Sequence, residues 1–233
     1  LNAKTIDLGD NSITSTAGFV MAGSTSCNVT TSSQNVNVTV RRFVSRVALQ
    51  KVNNALPSSY GAMTINNVTL INVVGNQNLA GAATASTWYN KMGRKDGATA
   101  SNQIIDGSTY LASHPTLTFK SVESSIASGA SHTPTTPYLF YTFPNSTSND
   151  VTGWATSFTA RKTRLVVAAT IGGKKYYYPV VIDTPSRNNA YTVELTITGL
   201  GSTEPDKPVE KGTINASVTV EGWATGSIYN ETI

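Results

Sequence analysis

The chain has 233 residues, a formal net charge of +4 and only 13% charged residues, about half the ~25% of an ordinary soluble protein. Thr, Ser, Asn and Gly fill the deficit, a neutral-polar composition that suits extracellular β-proteins better than cytoplasmic helical ones. The basic residues are scattered (Arg41, Arg42 and Arg46; Arg94 and Lys95; Arg161, Lys162 and Arg164; Lys174 and Lys175). Without a dense run interleaved with aromatics, nucleic acid is not expected as a partner, and these residues are expected on solvated strand faces and turns.

Cys27 is the one cysteine, so no intrachain disulfide forms and a cysteine-based metal site lacks ligands. Its expected place is as a small core residue. No apolar run approaches the ~18 residues of a transmembrane helix, and no membrane span is expected in the mature form. No secretory signal opens the chain at "LNAKTIDLGD", so an exported form is expected to have lost its signal already.

In chain order, "NVNVTV" (35–40) alternates with Val36, Val38 and Val40 on one face, and Phe43, Val47 and Leu49 follow on the opposite parity. The switch at Arg41 and Arg42 predicts a bulge or bend. "TINNVTLINVVG" (64–75) is apolar on both parities, as in a strand covered on two sides. Weak patterning follows from Asn76 to Ser113, where "TWYNKM" makes at best a helical turn, and a domain boundary is placed near Gly81. "PYLFYTFPN" resumes strand character. "TRLVVAATIGGKKYYYPVVID" reads as a hairpin, Leu165 to Ile171 and Lys174 to Ile182, turning at Gly172-Gly173. "AYTVELTITGL" alternates through Tyr191, Val193, Leu195 and Ile197. Many short strands with turn signals between them predict an all-β chain of β-sandwich architecture. The expected units are residues 1–80, residues 81–200, and a linker with a terminal strand over 201–233.

Chemistry is thinly provided. His114 and His132 sit in loop-like sequence without a second ligand at metal-binding spacing, and are expected to be exposed. The 13 carboxylates form no acid–base pair, and neither a GxSxG elbow nor a phosphate-cradling loop is present. Consecutive rings in Tyr176-Tyr177-Tyr178 point to opposite faces of a strand and cannot form one sugar platform. Triplets such as Asn67-Val-Thr and Asn145-Ser-Thr fit the glycosylation pattern, but chance explains most of them in so Asn- and Thr-rich a chain. Neither an enzyme nor a cofactor is expected.

"GTINASVTVEGWATGSIYNETI" (212–233) begins as an amphipathic strand, with Ile214, Ala216, Val218 and Val220 on one side and Thr213, Asn215, Ser217 and Thr219 on the other. The polar, proline-bearing "GSTEPDKPVEKG" (201–212) before it reads as a linker. Extended, Thr213 to Ile233 spans ~70 Å, against ~35 Å across a domain of ~130 residues. The segment therefore folds back at Gly222 and Gly226 or leaves its own domain.

The segments "RRFVSRVALQKV", "TINNVTLINVVGNQNLAG", "KKYYYPVVID" and "NAYTVELTITGLGSTEPDKPVEKGTINASVTVEGW" resemble, in order, those of the FimA-type major fimbrillins, stalk subunits of the type V pili of Bacteroides-like bacteria. The most specific part is the C-terminal pattern: Thr196-Ile197-Thr198-Gly199, the linker to Gly212, then an alternating strand closing on Glu221-Gly222-Trp223. The resemblance implies two β-sandwich domains of transthyretin-like topology plus a C-terminal donor strand, the first domain here lacking its first strands. It implies export as a lipoprotein precursor, removal of an N-terminal strand by a trypsin-like protease, and a fimbrium on the cell surface attached to the outer membrane. It further implies a homopolymer of identical pilin subunits, with accessory, anchor and tip subunits as further partners and surface receptors on host or bacterium left open. In such a polymer Ile214, Ala216, Val218, Val220, Trp223 and Ile228 would enter a groove of the adjacent subunit. Two other readings compete, a tip or accessory adhesin on the same fold and a secreted carbohydrate-binding β-sandwich.

Overall fold

β-Branched and aromatic residues at alternate positions build strands here, and the strands form two main sheets around a shared core. The computed structural model describes residues 4–8, 19–28, 31, 35–79, 85–92, 118–151, 158–210 and 212–223. In chain order the strands are β1 (Thr5–Asp7), β2 (Met21–Ala22), β3 (Arg41–Arg42), β4 (Ser45–Asn54), β5 (Met63–Ile71), β6 (Val73–Val74), β7 (Asn76–Asn78) and β8 (Trp88–Tyr89). They continue as β9 (Phe119–Ile126), β10 (Ser131–His132), β11 (Tyr138–Thr142), β12 (Arg164–Ile171), β13 (Lys174–Val181), β14 (Asn189–Ile197) and β15 (Ile214–Gly222). Among the described residues there is no α-helix, and helical backbone is limited to 3-10 geometry, as in the turn Ser58–Tyr60. The fold is all-β.

One sheet runs β13-β12-β5-β9, every pair antiparallel. The other runs β10-β4-β14-β15, with β11 also paired to β4. Within it β14 lies antiparallel to β15 but parallel to β4. Val47, Leu49, Val52, Phe140, Val193 and Leu195 of this sheet share one buried cluster with Met63, Ile65, Val68, Leu70, Val167 and Tyr178 of the first. Three small two-stranded pairs, β1 with β7, β2 with β3 and β6 with β8, complete the described strands.

The hairpin is as expected. β12 and β13 close at Ile171 opposite Lys174, and Gly172 and Gly173 take φ of 55° and 77°, the left-handed backbone that a two-residue turn requires and glycine supplies without strain. β5 is covered on both faces: Leu70 enters the main core while Ile71 joins a second cluster with Phe119, Val166 and Tyr177. Tyr177 and Tyr178 fall in different clusters, so the consecutive rings do face opposite ways. The phase switch after Arg41-Arg42 is a bend at Phe43-Val44 between β3 and β4.

Other expectations are corrected. β4 pairs with β14 and β5 with β12, so strands on both sides of position 81 share both main sheets. The described part of residues 1–80 is therefore no separate sandwich; Gly81 itself lies outside the described residues. Residues 35–40 form no strand and are exposed on both parities, because among the described residues no strand takes them up. Trp88–Tyr89 is a strand against Val73–Val74 rather than a helical turn. Cys27 is exposed, not core. Arg161 and Arg164, expected in solvent, are 1% and 2% exposed.

Those two arginines hold the segment that reads as a linker. Arg161 Nη1 donates to Asp206 Oδ2 at 2.8 Å and Arg164 Nη1 to Asp206 Oδ1 at 2.7 Å. The second guanidinium also pairs with Asp150. Asn72, at φ 53°, donates its amide to Asp206 Oδ1 at 3.1 Å. Burial pushes the Asp206 carboxyl up from the ordinary range, and Arg164, Arg161 and Asn72 pull it back down. Ser202 exchanges two backbone hydrogen bonds with Tyr177, at 2.8 and 3.0 Å. Gly201 sits so close to this strand that a Cβ would meet Tyr177 O at 2.6 Å and the Tyr178 ring at 2.9 Å. The linker is pinned, not a free leash.

Two measurements check this account. Asp206→Asn removes the carboxylate that two buried guanidiniums share and should lower unfolding free energy in urea by about 3–5 kcal/mol. Cys27 in the folded chain should react with a thiol reagent at the rate of the denatured chain, since it is exposed.

Candidate assembly site at the C-terminal strand

The pinned connector decides where β15 begins. Gly212 turns the chain at φ 85°, and Thr213 O accepts from the backbone N–H groups of Thr198 and Gly199 at 2.9 and 3.1 Å. β15 then runs back along β14 in unbroken register, from Ile197 opposite Ile214 to Asn189 opposite Gly222. Trp223 N closes the ladder on Asn188 O at 2.8 Å. The expected strand and its two faces are both present. Its position on its own β14 was not foreseen by the length of the segment; the described strand takes up Ile214–Gly222 of it.

Of the site residues, Ile214, Ala216 and Val218 are half-buried against the main core. Val220, on the same parity, is 52% exposed. Ile228 lies outside the described residues. The opposite face carries Ser217, Thr219 and Glu221, which with Gln50, Thr192 and Glu194 line a shallow, open, polar groove. β15 is thus an edge strand: β14 holds one side of its backbone, while among the described residues no strand holds the other. An edge position covers an apolar face only partly, and Val220 marks where the cover ends.

Trp223 anchors the far end. Its ring meets Phe19 edge-on at 5.3 Å and stacks on Tyr141 at 5.9 Å. The guanidinium carbons of Arg42 and Arg46 lie 4.5 and 5.0 Å from its centroid, within cation–π range. Burial pushes the Tyr141 hydroxyl up, while Arg46 and Arg42 act in the other direction. Arg187 ties the same end together. It donates to Ala22 O at 2.7 Å, Arg41 O at 3.0 Å and Arg42 O at 3.2 Å, and lies 3.9 Å over the Phe43 ring. Sequence reading missed these partners of Trp223. The one signal was the pattern break at Arg41-Arg42, where charged residues interrupt an alternating run.

His132 also differs from expectation. It lies in β10, half-buried, with Nδ1 3.0 Å from Ser124 Oγ and Nε2 3.0 Å from Tyr138 Oη, stacked on the Tyr138 ring. Burial lowers its pKa, which favours the neutral ring. One nitrogen then accepts and the other donates, and both hydroxyls are satisfied. His132 thereby joins β9 of one sheet to β11 of the other. His114 lies outside the described residues. Among the described residues no three His, Cys, Asp or Glu side chains gather as a metal site would need. Asn67 and Asn145 are buried, which closes those two triplets to a glycan on the folded chain.

Trp223→Ala should loosen the end of β15 without unfolding the sandwich. Hydrogen exchange at the amides of residues 218–222 should quicken by about tenfold, the loss of roughly 1–2 kcal/mol of local protection, with β12 unchanged.

No family model matches the chain, and no curated protein matches it. Solved structures do. A proposed cell adhesion protein of Parabacteroides distasonis aligns at TM-score 0.56 and 18% identity, over 96% of this chain and 76% of that one. A second from the same organism aligns at 0.50 and 16%, over 82% and 55%. A fimbrilin (FimA) of Porphyromonas gingivalis aligns at 0.48 and 14%, over 82% and 61%. The chain spans little more than half the length of the last two. The chain shares the all-β fold of the Parabacteroides structures.

Proposed function

We propose that this chain is a structural subunit of a cell-surface fimbrium, polymerising by lending its C-terminal strand to an identical neighbour. The observation that carries the reading is β15: an amphipathic strand at a sheet edge whose apolar face its own fold covers only in part, leaving Val220 at 52% exposure. A neighbour's groove would cover what β14 and the core do not. The resemblance of the segment ending in Glu221-Gly222-Trp223 to the fimbrillin pattern supports this, as does the fold shared with proteins assigned to adhesion. In this reading the chain works by shape and apolar burial, without cofactor or catalysis, and an N-terminal strand is cut away to open the groove. The groove's full outline belongs to the same proposal.

Energetics favour a complete face only. Burying four or five apolar side chains is worth on the order of 10 kcal/mol, and main-chain ladder bonds add to it. Lost rigid-body freedom costs ~4–15 kcal/mol, and leaving home also gives up the contacts to β14 and Trp223's partners.

Two experiments test the reading. Val218→Asp should abolish filaments seen by electron microscopy, an unpaired carboxylate in the groove costing several kcal/mol, while Thr219→Asp on the polar face should assemble. In a Cys27→Ala background, Thr192→Cys with Thr219→Cys places thiols at paired positions of β14 and β15. Oxidised, that chain cannot lend its strand and should stay monomeric until reductant is added. Normal polymerisation of the locked chain would mean that β15 is not the donor.

A further inference from the structure

Two features lie next to each other in the chain, an exposed run of alternate valines and a group of arginines that has no carboxylate beside it among the described residues. Val36, Val38 and Val40 alternate along residues 35–40 and are 43%, 49% and 45% exposed. Among the described residues none takes up the backbone N–H or C=O groups of this segment. It leads directly into Arg41 and Arg42, and with Arg46 and Arg187 these make a cluster of four guanidiniums. Arg42 and Arg46 share one Trp223 ring, and Arg187 donates to Arg41 O at 3.0 Å. Among the described residues no carboxylate lies within salt-bridge distance of any of the four. The contrast with Arg161 and Arg164 is sharp, since each of those has its carboxylate. Like charges held together without a counter-ion repel, so an incoming carboxylate gains more here than at an isolated arginine.

An occupant with complementary pattern and charge is present in the same sequence. Residues 212–233 alternate through Ile214, Ala216, Val218 and Val220, and their only charged side chains are Glu221 and Glu231. We infer that residues 35–42 are the acceptor for the C-terminal strand of a second copy. The alternate valines meet the alternate apolar residues of the donor along residues 35–40, whose backbone makes no hydrogen bond among the described residues and is approached only at Thr39–Val40, by Gly23, and Glu221 reaches the arginines at the end of the run. This rests on the reading of β15 as a donor and names its landing place. It also links the two roles in one molecule. When a copy's own β15 leaves, Trp223 withdraws from Arg42 and Arg46, and the receiving cluster opens further.

The test uses the locked chain (Cys27→Ala, Thr192→Cys, Thr219→Cys, oxidised) as acceptor, because it keeps residues 35–42 but cannot donate. A fluorescent peptide of residues 212–233 is titrated onto it and followed by anisotropy. Saturable binding is expected, weakened at least about tenfold by Val38→Asp, which puts a carboxylate among the valines. Arg41→Glu should weaken it by a similar factor of about ten, and a peptide with Glu221→Arg should regain most of the loss on that variant. Raising salt from about 50 to about 500 mM should weaken binding to the parent and leave the Arg41→Glu chain nearly indifferent. Equal affinity for the parent and Val38→Asp chains, or no saturable binding to the parent, overturns the assignment. A peptide that binds elsewhere sinks this acceptor while leaving the donor strand standing. Polymerisation of the locked chain sinks the donor strand itself, so the two failures are told apart.

Discussion

A single carboxylate held between two buried guanidiniums fixes where the C-terminal part of this chain can go. Asp206 belongs to a stretch rich in proline and polar residues that has no regular structure of its own. Arg161 and Arg164, on the approach to β12 and at its first residue, reach it at 2.8 and 2.7 Å. Asn72 reaches it from the turn after β5. Three segments far apart in sequence thus converge on one side chain. A buried ion triad contributes little net stability, since desolvation offsets most of its Coulomb attraction. What it contributes is position. With Asp206 fixed, Gly212 has few places to turn, and β15 starts opposite Ile197 rather than elsewhere along β14.

β14 is the strand on which the rest is arranged. On one side it takes β4 in parallel and on the other β15 in antiparallel sense, so the first and last long strands of the chain are separated by one strand. The apolar side chains of β14 are fully buried, whereas those of β15 are half-buried at best. The difference follows from position, because a central strand has neighbours on both sides and an edge strand on one. Compensation at the end of the edge strand comes from Trp223, which packs on Phe19 and Tyr141 and lies under the guanidiniums of Arg42 and Arg46.

Much of this was legible in the residues. The Gly172-Gly173 hairpin, the alternation of β14, the two-sided burial of β5 and the opposed rings of Tyr177 and Tyr178 are local consequences of period-two patterning and turn chemistry, and each is as the sequence implies. The faces of β15 were legible for the same reason. What was not legible is non-local. Nothing in "RKTR" distinguishes a solvated basic turn from two buried cations, because their partner stands some forty residues later in a segment that reads as linker. Nor does a weakly patterned stretch after Asn76 reveal that the strands on either side of it share two sheets. Cys27 was placed inside on side-chain type, and the valines of residues 35–40 were read as one face of a strand on their alternation. They are outside because among the described residues no element comes to cover them, and pattern cannot register a missing neighbour.

The parallel pairing of β4 with β14 has a further consequence, in time rather than in space. Asn53 donates its amide to Thr196 across this pair at 2.9 Å, over a sequence separation of 143 residues. Until β14 has emerged, β4 has neither its parallel neighbour nor the residues that bury Val47 and Leu49 from that side, and the main core cannot close. A chain whose central contacts join distant segments must meet a large loop-closure cost before those contacts form, which makes folding slow. While it is incomplete, its apolar strands remain exposed to other chains. Such a protein spends its early life as a passenger needing protection, and vectorial emergence from a ribosome or a membrane channel cannot fold it piecemeal from the N-terminus.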